Sequence, residues 1–100
     1  MKVRLHPDAR AELRHARTWY YDRSPLTAVA FAHAVDSAVS RIKEAPSSFP
    51  LTDHGTRKFV LRRFPFSILY RAGETDIVIV AVAHQKRRPG YWSARVTSSY

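Results

Sequence analysis

The chain has no cysteine among its 100 residues, so it can form neither a disulfide nor a thiolate nucleophile or metal site. It has no apolar run of 18 residues, which argues against a membrane-spanning helix and a membrane partner. Glycine occurs three times and forms no phosphate-binding loop. The five histidines lack a short ligand spacing and a neighbouring carboxylate cluster. We therefore expect no cofactor and no metal.

Acidic residues are also scarce, since 8 Asp and Glu accompany 17 Lys and Arg, for a formal net charge of +9. Residues 1–56 contain eight basic and six acidic residues, whereas residues 57–100 contain nine and two. In the second half the basic residues alternate with aromatic ones, the mixture that phosphate contacts and base stacking require. This pattern favours a nucleic acid, a nucleoprotein or an acidic protein as partner over a charge that only maintains solubility.

The length predicts one small domain, which we place at residues 1–92, followed by a polar tail at residues 93–100 without order of its own. The N-terminal sequence MKVRLHPDAR lacks the apolar segment of a signal peptide. Together with the absence of cysteine, which fits a reducing compartment, this predicts a cytoplasmic location.

Two helices are predicted in the first half. Residues 2–5 alternate between apolar and basic side chains, as in a short edge strand. Pro7 fits the first position of a helix that should end near Asp22-Arg23. Ser24-Pro25 combines an N-cap with a first helical residue, and the second helix must stop before Pro46. Small residues on both apolar stripes let the two helices approach closely, which predicts an antiparallel hairpin.

Three β-branched and aromatic runs follow, Lys58–Phe64, Phe66–Arg71 and Asp76–His84. Their short connections predict antiparallel neighbours. The last run is apolar at every position from Ile77 to Ala83, which predicts a central strand covered on both faces, with a partner as a candidate second cover. The predicted fold is α+β, with an N-terminal edge strand and an antiparallel helical hairpin packed on a small antiparallel sheet. The opposite face of the sheet should display the basic residues.

Several motifs follow one another in a characteristic order. The first is Val-Arg-Leu-x-Pro-x-Ala-x-x-Glu-Leu, from Val3 to Leu13. Ala-Pro and Phe-Pro pairs follow the second helix, and Leu-Arg-Arg-Phe-Pro-Phe begins at Leu61. The last motif, Val-Ala-Val-Ala-His, ends at His84 before Lys-Arg-Arg-Pro. In this joint order, residues 3–92 resemble the RelE/ParE toxin family of bacterial type II toxin–antitoxin modules.

The resemblance implies a small toxic α+β protein that is neutralised by a cognate antitoxin of the ParD or RelB kind. The antitoxin's extended and helical segments would wrap the toxin, and their frequent acidity would match its positive charge. The family divides by target. RelE-like members cut messenger RNA on the ribosome without a metal, whereas ParE-like members act on DNA gyrase.

Metal-free RNA cleavage needs a base for the 2′-hydroxyl, cations for the phosphorane and an acid for the leaving oxygen. The candidate catalytic residues for this alternative are His84, Arg63, Arg71 and Tyr91. The candidates for contact with a nucleic acid or a protein target are Arg62, Lys86, Arg87, Arg88 and Trp92. In both groups the residues lie on or beside the predicted sheet.

Ser67 favours the other branch of the family. The resemblance implies an arginine at this position in RelE-like ribonucleases, directed at the scissile phosphate. Loss of one such cation costs on the order of 3 kcal/mol of transition-state stabilisation, by analogy with an oxyanion donor. We therefore expect a gyrase-directed toxin, with a ribosome-dependent ribonuclease and a non-catalytic basic binding module as alternatives.

Asp8 and Glu12 lie near the start of the first helix, where the helix dipole accounts for two carboxylates.

Overall fold

The computed structural model describes residues 1–96 and has an α+β architecture, as the sequence predicts. In chain order the elements are β1 (Lys2–Leu5), α1 (Pro7–Arg23), α2 (Pro25–Glu44), a 3-10 turn (Asp53–Gly55), β2 (Arg57–Val60), β3 (Phe66–Ala72), β4 (Asp76–His84) and α3 (Ser93–Val96). Within this part of the chain, no helix combines the length and the hydrophobicity needed to cross a membrane.

The two long helices begin and end at the capping residues. His6 Nδ1 accepts a hydrogen bond from the backbone N–H of Asp8 at 3.0 Å, and Pro7 opens α1. Ser24 serves both helices: its N–H donates to the Tyr20 carbonyl at 2.8 Å, and its Oγ accepts from the Thr27 N–H at 3.3 Å. Because one residue separates the helices, they fold back on each other, and the predicted hairpin is confirmed.

The sheet has the strand order β1-β4-β3-β2. The pairs β2–β3 and β3–β4 are antiparallel as predicted, and β1 lies at the edge. However, β1 runs parallel to β4, with Val3 opposite Ile77, so the sheet is mixed. The rule that short connections give antiparallel pairs applies to successive strands. It does not constrain β1 and β4, which are joined through the rest of the fold.

A β-bulge in β4 changes which side chains face the helices. Leu69 lies opposite Ala81 and Tyr70 lies opposite Ile79, so Val80 has no partner residue on β3. Ile79 therefore packs in the cluster beneath the helices, whereas Val80 and Ala81 both pack in the cluster on the opposite face. Both faces of β4 are thus apolar, which agrees with a strand covered on two sides.

The face beneath the helices contains the main core, and Phe31 lies at its centre with no exposed surface. Its ring centroid lies 5.1 Å from that of Tyr20, 5.3 Å from Phe64 and 5.4 Å from Phe66. Such offset and edge contacts add to the free energy of burial. This aromatic cluster joins α1, α2 and the start of β3.

The opposite face is covered by the chain's own C-terminal segment. Tyr91, Trp92 and Val96 pack against Val80, Ala81 and the other apolar residues of that face. The expectation of an open sheet face displaying cations is therefore corrected, and no partner is needed for the second cover. Ser93–Val96 of the predicted tail form a short helix, while residues 97–100 lie outside the described residues. The domain boundary at residue 92 stays a prediction.

We predict that Phe31→Ala lowers the free energy of unfolding by about 3–5 kcal/mol, because it removes the ring that three other aromatic rings contact. Urea unfolding followed by circular dichroism measures the change. The control is Leu26→Ala on the same helix, where the side chain is 82% exposed and the expected change is below about 0.5 kcal/mol. Equal changes in the two variants would contradict the assigned core.

Candidate functional site

Two clefts open beside the end of β4. The first, here called the basic cleft, has a volume of about 190 Å³ and lies on the sheet face that the C-terminal segment covers. Its polar lining residues are Thr52, Asp53, Lys58, Ser67, His84, Gln85, Arg87, Arg88 and Tyr91. The second, here called the apolar cleft, has a volume of about 410 Å³ and lies between α1 and the ends of β3 and β4. His84 and Arg87 line both clefts.

His84 is the last residue of β4, and its hydrogen bonding determines which ring nitrogen carries the proton. Nδ1 accepts a hydrogen bond from the backbone N–H of Lys86 at 3.0 Å. The ring also contacts Phe66 edge to face, with centroids 5.1 Å apart. Because Nδ1 is the acceptor, the proton of the neutral imidazole lies on Nε2. His84 is therefore arranged to donate a hydrogen bond from Nε2 to an anionic group.

Five basic residues gather around the same end of the sheet, namely four of the predicted contact residues and Arg63 of the predicted catalytic set. Two lie on the loop before β3 and three on the turn after β4, and the two segments meet where the N–H of Gln85 donates to the Pro65 carbonyl at 2.9 Å. We call this group the basic rim, and it consists of Arg62, Arg63, Lys86, Arg87 and Arg88. All five are exposed, and none forms an ion pair within residues 1–96. The rim is therefore free to meet a negatively charged macromolecule.

The structure separates Arg71 from the basic rim and buries Trp92 beside the basic cleft. Arg71 lies five residues along β3 from Phe66, the partner of His84, which places it roughly 16 Å away at about 3.3 Å per residue. Its guanidinium donates to the Val96 carbonyl at 3.1 Å. Trp92 is 5% exposed and packs against the sheet, so its ring has no face open for stacking on a base. Both side chains hold the C-terminal segment in place.

Glu12 has a structural role that the sequence reasoning missed. Its carboxylate accepts a hydrogen bond from the Tyr91 hydroxyl at 2.6 Å and two from the Arg95 guanidinium, at 2.9 and 3.1 Å. It also accepts the backbone N–H of Val82 at 3.0 Å, while Arg95 donates to the Val80 carbonyl at 3.1 Å. We call Glu12, Tyr91 and Arg95 the carboxylate latch. The helix dipole alone therefore does not account for Glu12.

The latch forms hydrogen bonds with backbone groups on the part of the β4 edge that β1 does not reach. β1 pairs with β4 only as far as Ile79, so within residues 1–96 no strand lies beside the edge of β4 beyond this residue. An unpaired backbone group away from water costs free energy comparable to a lost hydrogen bond. Glu12 and Arg95 satisfy one N–H and one C=O of that edge. The signal in the sequence was the mismatch between a four-residue first strand and a nine-residue last strand.

The latch also changes what Tyr91 can do. Burial raises the pKa of the Tyr91 hydroxyl well above its ordinary value, and the hydrogen bond to Glu12 and the carboxylate charge raise it further. The Arg87 guanidinium lies 3.9 Å from the centre of the Tyr91 ring, at cation–π distance. Tyr91 therefore positions Arg87 with its ring, while its hydroxyl points to Glu12.

Ser67 lies on the floor of the basic cleft, where it is 7% exposed and pairs with Ala83. Lys58 and Asp53, which the sequence reasoning left out, line the same cleft with opposite charges. Within residues 1–96, no group of three His, Asp or Glu side chains converges as metal ligands would. The cleft thus presents one buried hydroxyl, one imidazole donor and cations at its margin.

The fold is α+β, with a helical hairpin packed on the sheet and basic residues at one end of that sheet. This arrangement is the one expected of the toxin class that the sequence motifs resemble. The family model "ParE toxin of type II toxin-antitoxin system, parDE" matches residues 3–89. "Toxin ParE2" of Mycobacterium tuberculosis, strains CDC 1551 and H37Rv, is 31% identical over 98 residues, covering 96% of this chain and 92% of the relative. The chain belongs to the ParE toxin family of type II toxin–antitoxin systems.

A solved structure agrees with the fold. The "Chromosomal ParDE TA system from P. aeruginosa" aligns with a TM-score of 0.73 at 22% identity. The alignment covers 84% of this chain and 95% of that chain. The helical hairpin and four-stranded sheet are therefore an arrangement that a solved toxin–antitoxin system also contains.

We predict that Glu12→Ala lowers the free energy of unfolding by about 3 kcal/mol, because it removes the carboxylate that hydrogen-bonds the largely buried Arg95 guanidinium and leaves Arg95 with the more exposed Asp8, whose Oδ2 lies 3.6 Å from Arg95 Nε. Chemical denaturation at pH 7 measures the change. The control is Glu44→Ala, at the exposed end of α2, for which we expect a change below about 0.5 kcal/mol. A Glu12→Ala protein as stable as this control would contradict the latch.

A second prediction concerns alkaline pH. An unfolded tyrosine ionises near pH 10, whereas the folded Tyr91 keeps its proton to higher pH, so the folded state binds more protons above about pH 10. This contribution to stability is present below that pH and is lost as the pH rises toward the folded pKa. In Tyr91→Phe the alkaline loss of unfolding free energy should be smaller, although Tyr20 and Tyr70, whose pKa values are also raised, still contribute. Denaturation series at pH 9, 10 and 11 measure the slope, and identical slopes in both proteins would contradict the assignment.

Proposed function

We propose that this toxin inhibits DNA gyrase by means of the basic rim, acting in the cytoplasm until its cognate antitoxin neutralises it. The observation that carries the proposal is Ser67, a buried neutral hydroxyl on the floor of the basic cleft. Metal-free RNA cleavage needs a cation where the phosphorane charge develops. At the position where the resemblance implies an arginine in the ribonucleases, this chain has the Ser67 hydroxyl. Ser67 therefore favours the gyrase-directed branch of the family, which contains the ParE-like members.

The hydrogen bonding of His84 supports the same branch. A general base must present an unprotonated nitrogen within hydrogen-bond reach of the 2′-hydroxyl. In the neutral ring the unprotonated nitrogen is Nδ1, which already accepts the Lys86 N–H. Nε2 then carries the proton, so it suits anion binding better than proton abstraction.

The other candidate catalytic groups are poorly placed for RNA cleavage. The Tyr91 hydroxyl donates to Glu12, and its raised pKa makes it a weak acid for a leaving oxygen. Arg71 lies roughly 16 Å along the sheet from His84, beyond the reach of one phosphate group. Of the proposed catalytic set, Arg63 and His84 remain at one end of the sheet.

The basic rim suits an anionic protein or protein–DNA surface. Exposed cations that are not paired with a carboxylate attract a negative surface over about 10 Å at moderate ionic strength, and they speed association more than they strengthen it. The rim supplies five such charges from two adjoining segments. Inhibition of gyrase through the rim should therefore weaken as the salt concentration rises.

We predict that Arg87→Glu combined with Arg88→Glu raises the toxin concentration for half-inhibition of gyrase supercoiling at least tenfold, because two attractive contacts become repulsive. His84→Ala should change it by less than the double charge reversal does, because it removes one hydrogen bond and no proton transfer is required. The matched control is Arg10→Glu combined with Lys43→Glu, an equal charge change at exposed helical positions, which should keep near wild-type inhibition.

The same proteins distinguish the alternatives when they are added to translating ribosomes. Codon-dependent messenger cleavage that His84→Ala abolishes, with gyrase unaffected, would replace the proposal by the RelE-like ribonuclease. Salt-dependent binding to RNA or to an acidic protein, with neither activity, would indicate a non-catalytic binding module.

A further inference from the structure

The apolar cleft lies beside the basic rim, and its walls come from both layers of the fold. On α1, residues 12, 15–16 and 19–20 recur at spacings of three and four, so one face of the helix forms one wall. Phe66 and Val82 of the sheet belong to the other wall. The volume of about 410 Å³ is within the range of about 300–1,000 Å³ that is typical of ligand pockets. The cleft can therefore enclose a whole side chain of a partner.

Trp19 lines the apolar cleft, and 52% of its surface is nevertheless exposed. Two neighbours hold its ring. Arg23 Cζ lies 3.5 Å from the ring centroid, at cation–π distance, and the Tyr20 ring meets it edge to face with the centroids 5.1 Å apart. The Arg23 guanidinium also donates to the Trp19 carbonyl at 2.9 Å. A side chain that is already oriented loses little conformational entropy on binding, so Trp19 has the properties of an anchor for a partner.

The charges around the apolar cleft favour an acidic partner. Arg87 lines the cleft and belongs to the basic rim as well. Arg23 lies over the Trp19 ring, so a second guanidinium stands beside the anchor. Glu12 also lines the cleft, but its carboxylate is paired with Arg95 at 2.9 Å, so its charge is balanced. A partner that places carboxylates around an apolar side chain would match this surface.

We infer that the apolar cleft receives an apolar side chain of gyrase, with Trp19 as the anchor and with flanking carboxylates paired to Arg23 and Arg87. Binding energy in protein interfaces is concentrated in a few Trp, Tyr and Arg residues, and all three types line this cleft. A second copy of this chain, with a net charge of +9, would be repelled. A phosphate backbone would meet the rim but would leave the buried Ala16 and Val82 without an apolar contact. This contact deepens the proposed function and rests on it.

The apolar cleft and the basic rim contribute to binding in different ways. The charges of the rim act at a distance and mainly raise the association rate, which falls as salt is added. An apolar contact acts only after the surfaces have met, so its loss appears in the dissociation rate. Substitution of Trp19 should therefore shorten the lifetime of the complex, with little change in the association rate or in its salt dependence.

The test measures inhibition of supercoiling by the gyrase holoenzyme, together with binding kinetics on immobilised gyrase by biolayer interferometry at low and high salt. Trp19→Ala should raise the half-inhibitory concentration and the dissociation rate at least tenfold, while the association rate changes less than threefold. Trp19→Phe keeps an aromatic ring and should recover most of both losses. The control is Tyr21→Ala, which removes a 60% exposed aromatic side chain about 200° around α1 from Trp19. It should change both quantities less than twofold.

A second pair of variants tests the charge of the partner. His15 is exposed and lines the apolar cleft, so His15→Glu places a negative charge beside the partner's carboxylates. It should raise the half-inhibitory concentration at least fivefold. Ser37→Glu adds the same charge at an exposed position of α2 outside the cleft and should change it less than twofold. Circular dichroism checks folding, and His15→Glu keeps the test valid if Trp19→Ala misfolds.

Wild-type inhibition and dissociation rates in both Trp19→Ala and His15→Glu would overturn the inference and leave the proposed target in place. A loss in Trp19→Ala that lies in the association rate and vanishes at high salt would also overturn it. Weaker binding of Trp19→Ala to the cognate antitoxin or to a single-stranded oligonucleotide, with gyrase inhibition kept, would assign the cleft to that partner instead. A wild-type toxin that neither binds nor inhibits gyrase would contradict the proposed function, and the contact in the cleft with it.

Discussion

The structure depends on how β4 is enclosed. This nine-residue strand is apolar on both faces, and it extends beyond the four-residue β1 along one edge. Helices cover one face and the C-terminal segment covers the other, while the carboxylate latch supplies hydrogen bonds to the edge that β1 leaves open. Because the Glu12 carboxylate also accepts the Tyr91 hydroxyl, the latch joins the first helix, the central strand and the last described segment.

The candidate site follows from this enclosure. A sheet closed on both faces cannot display cations across its surface, and the five residues of the basic rim lie at its margin, where β4 ends and its flanking loops meet. His84 ends the strand with its Nδ1 bonded to the Lys86 N–H, and Arg87 packs on the Tyr91 ring, whose hydroxyl donates to Glu12. The result is a cationic surface supported by a rigid strand, which suits recognition of a macromolecule better than acid–base chemistry.

Much of the fold could be predicted from local patterns, because capping residues and prolines act on their neighbours. Ser24-Pro25 gives the boundary between the helices, and Asp76–His84 has its predicted bounds. The latch could not be predicted in this way, since Glu12 and Arg95 are 83 residues apart and each alone is an ordinary charged residue. The β-bulge at Val80 could not be predicted either. A bulge interrupts the alternation of apolar and polar side chains, and a run that is apolar throughout has no such alternation.

The carboxylate latch is most directly tested by amide hydrogen exchange at Val82, measured by nuclear magnetic resonance in the wild type and in Glu12→Ala. Among the described residues no strand pairs with β4 on the side of the Val82 N–H, which donates to the Glu12 carboxylate. We predict strong protection in the wild type and a loss of at least tenfold in the variant, with protection at Ile68 in the core kept. Rapid exchange of the wild-type Val82 amide would contradict the account.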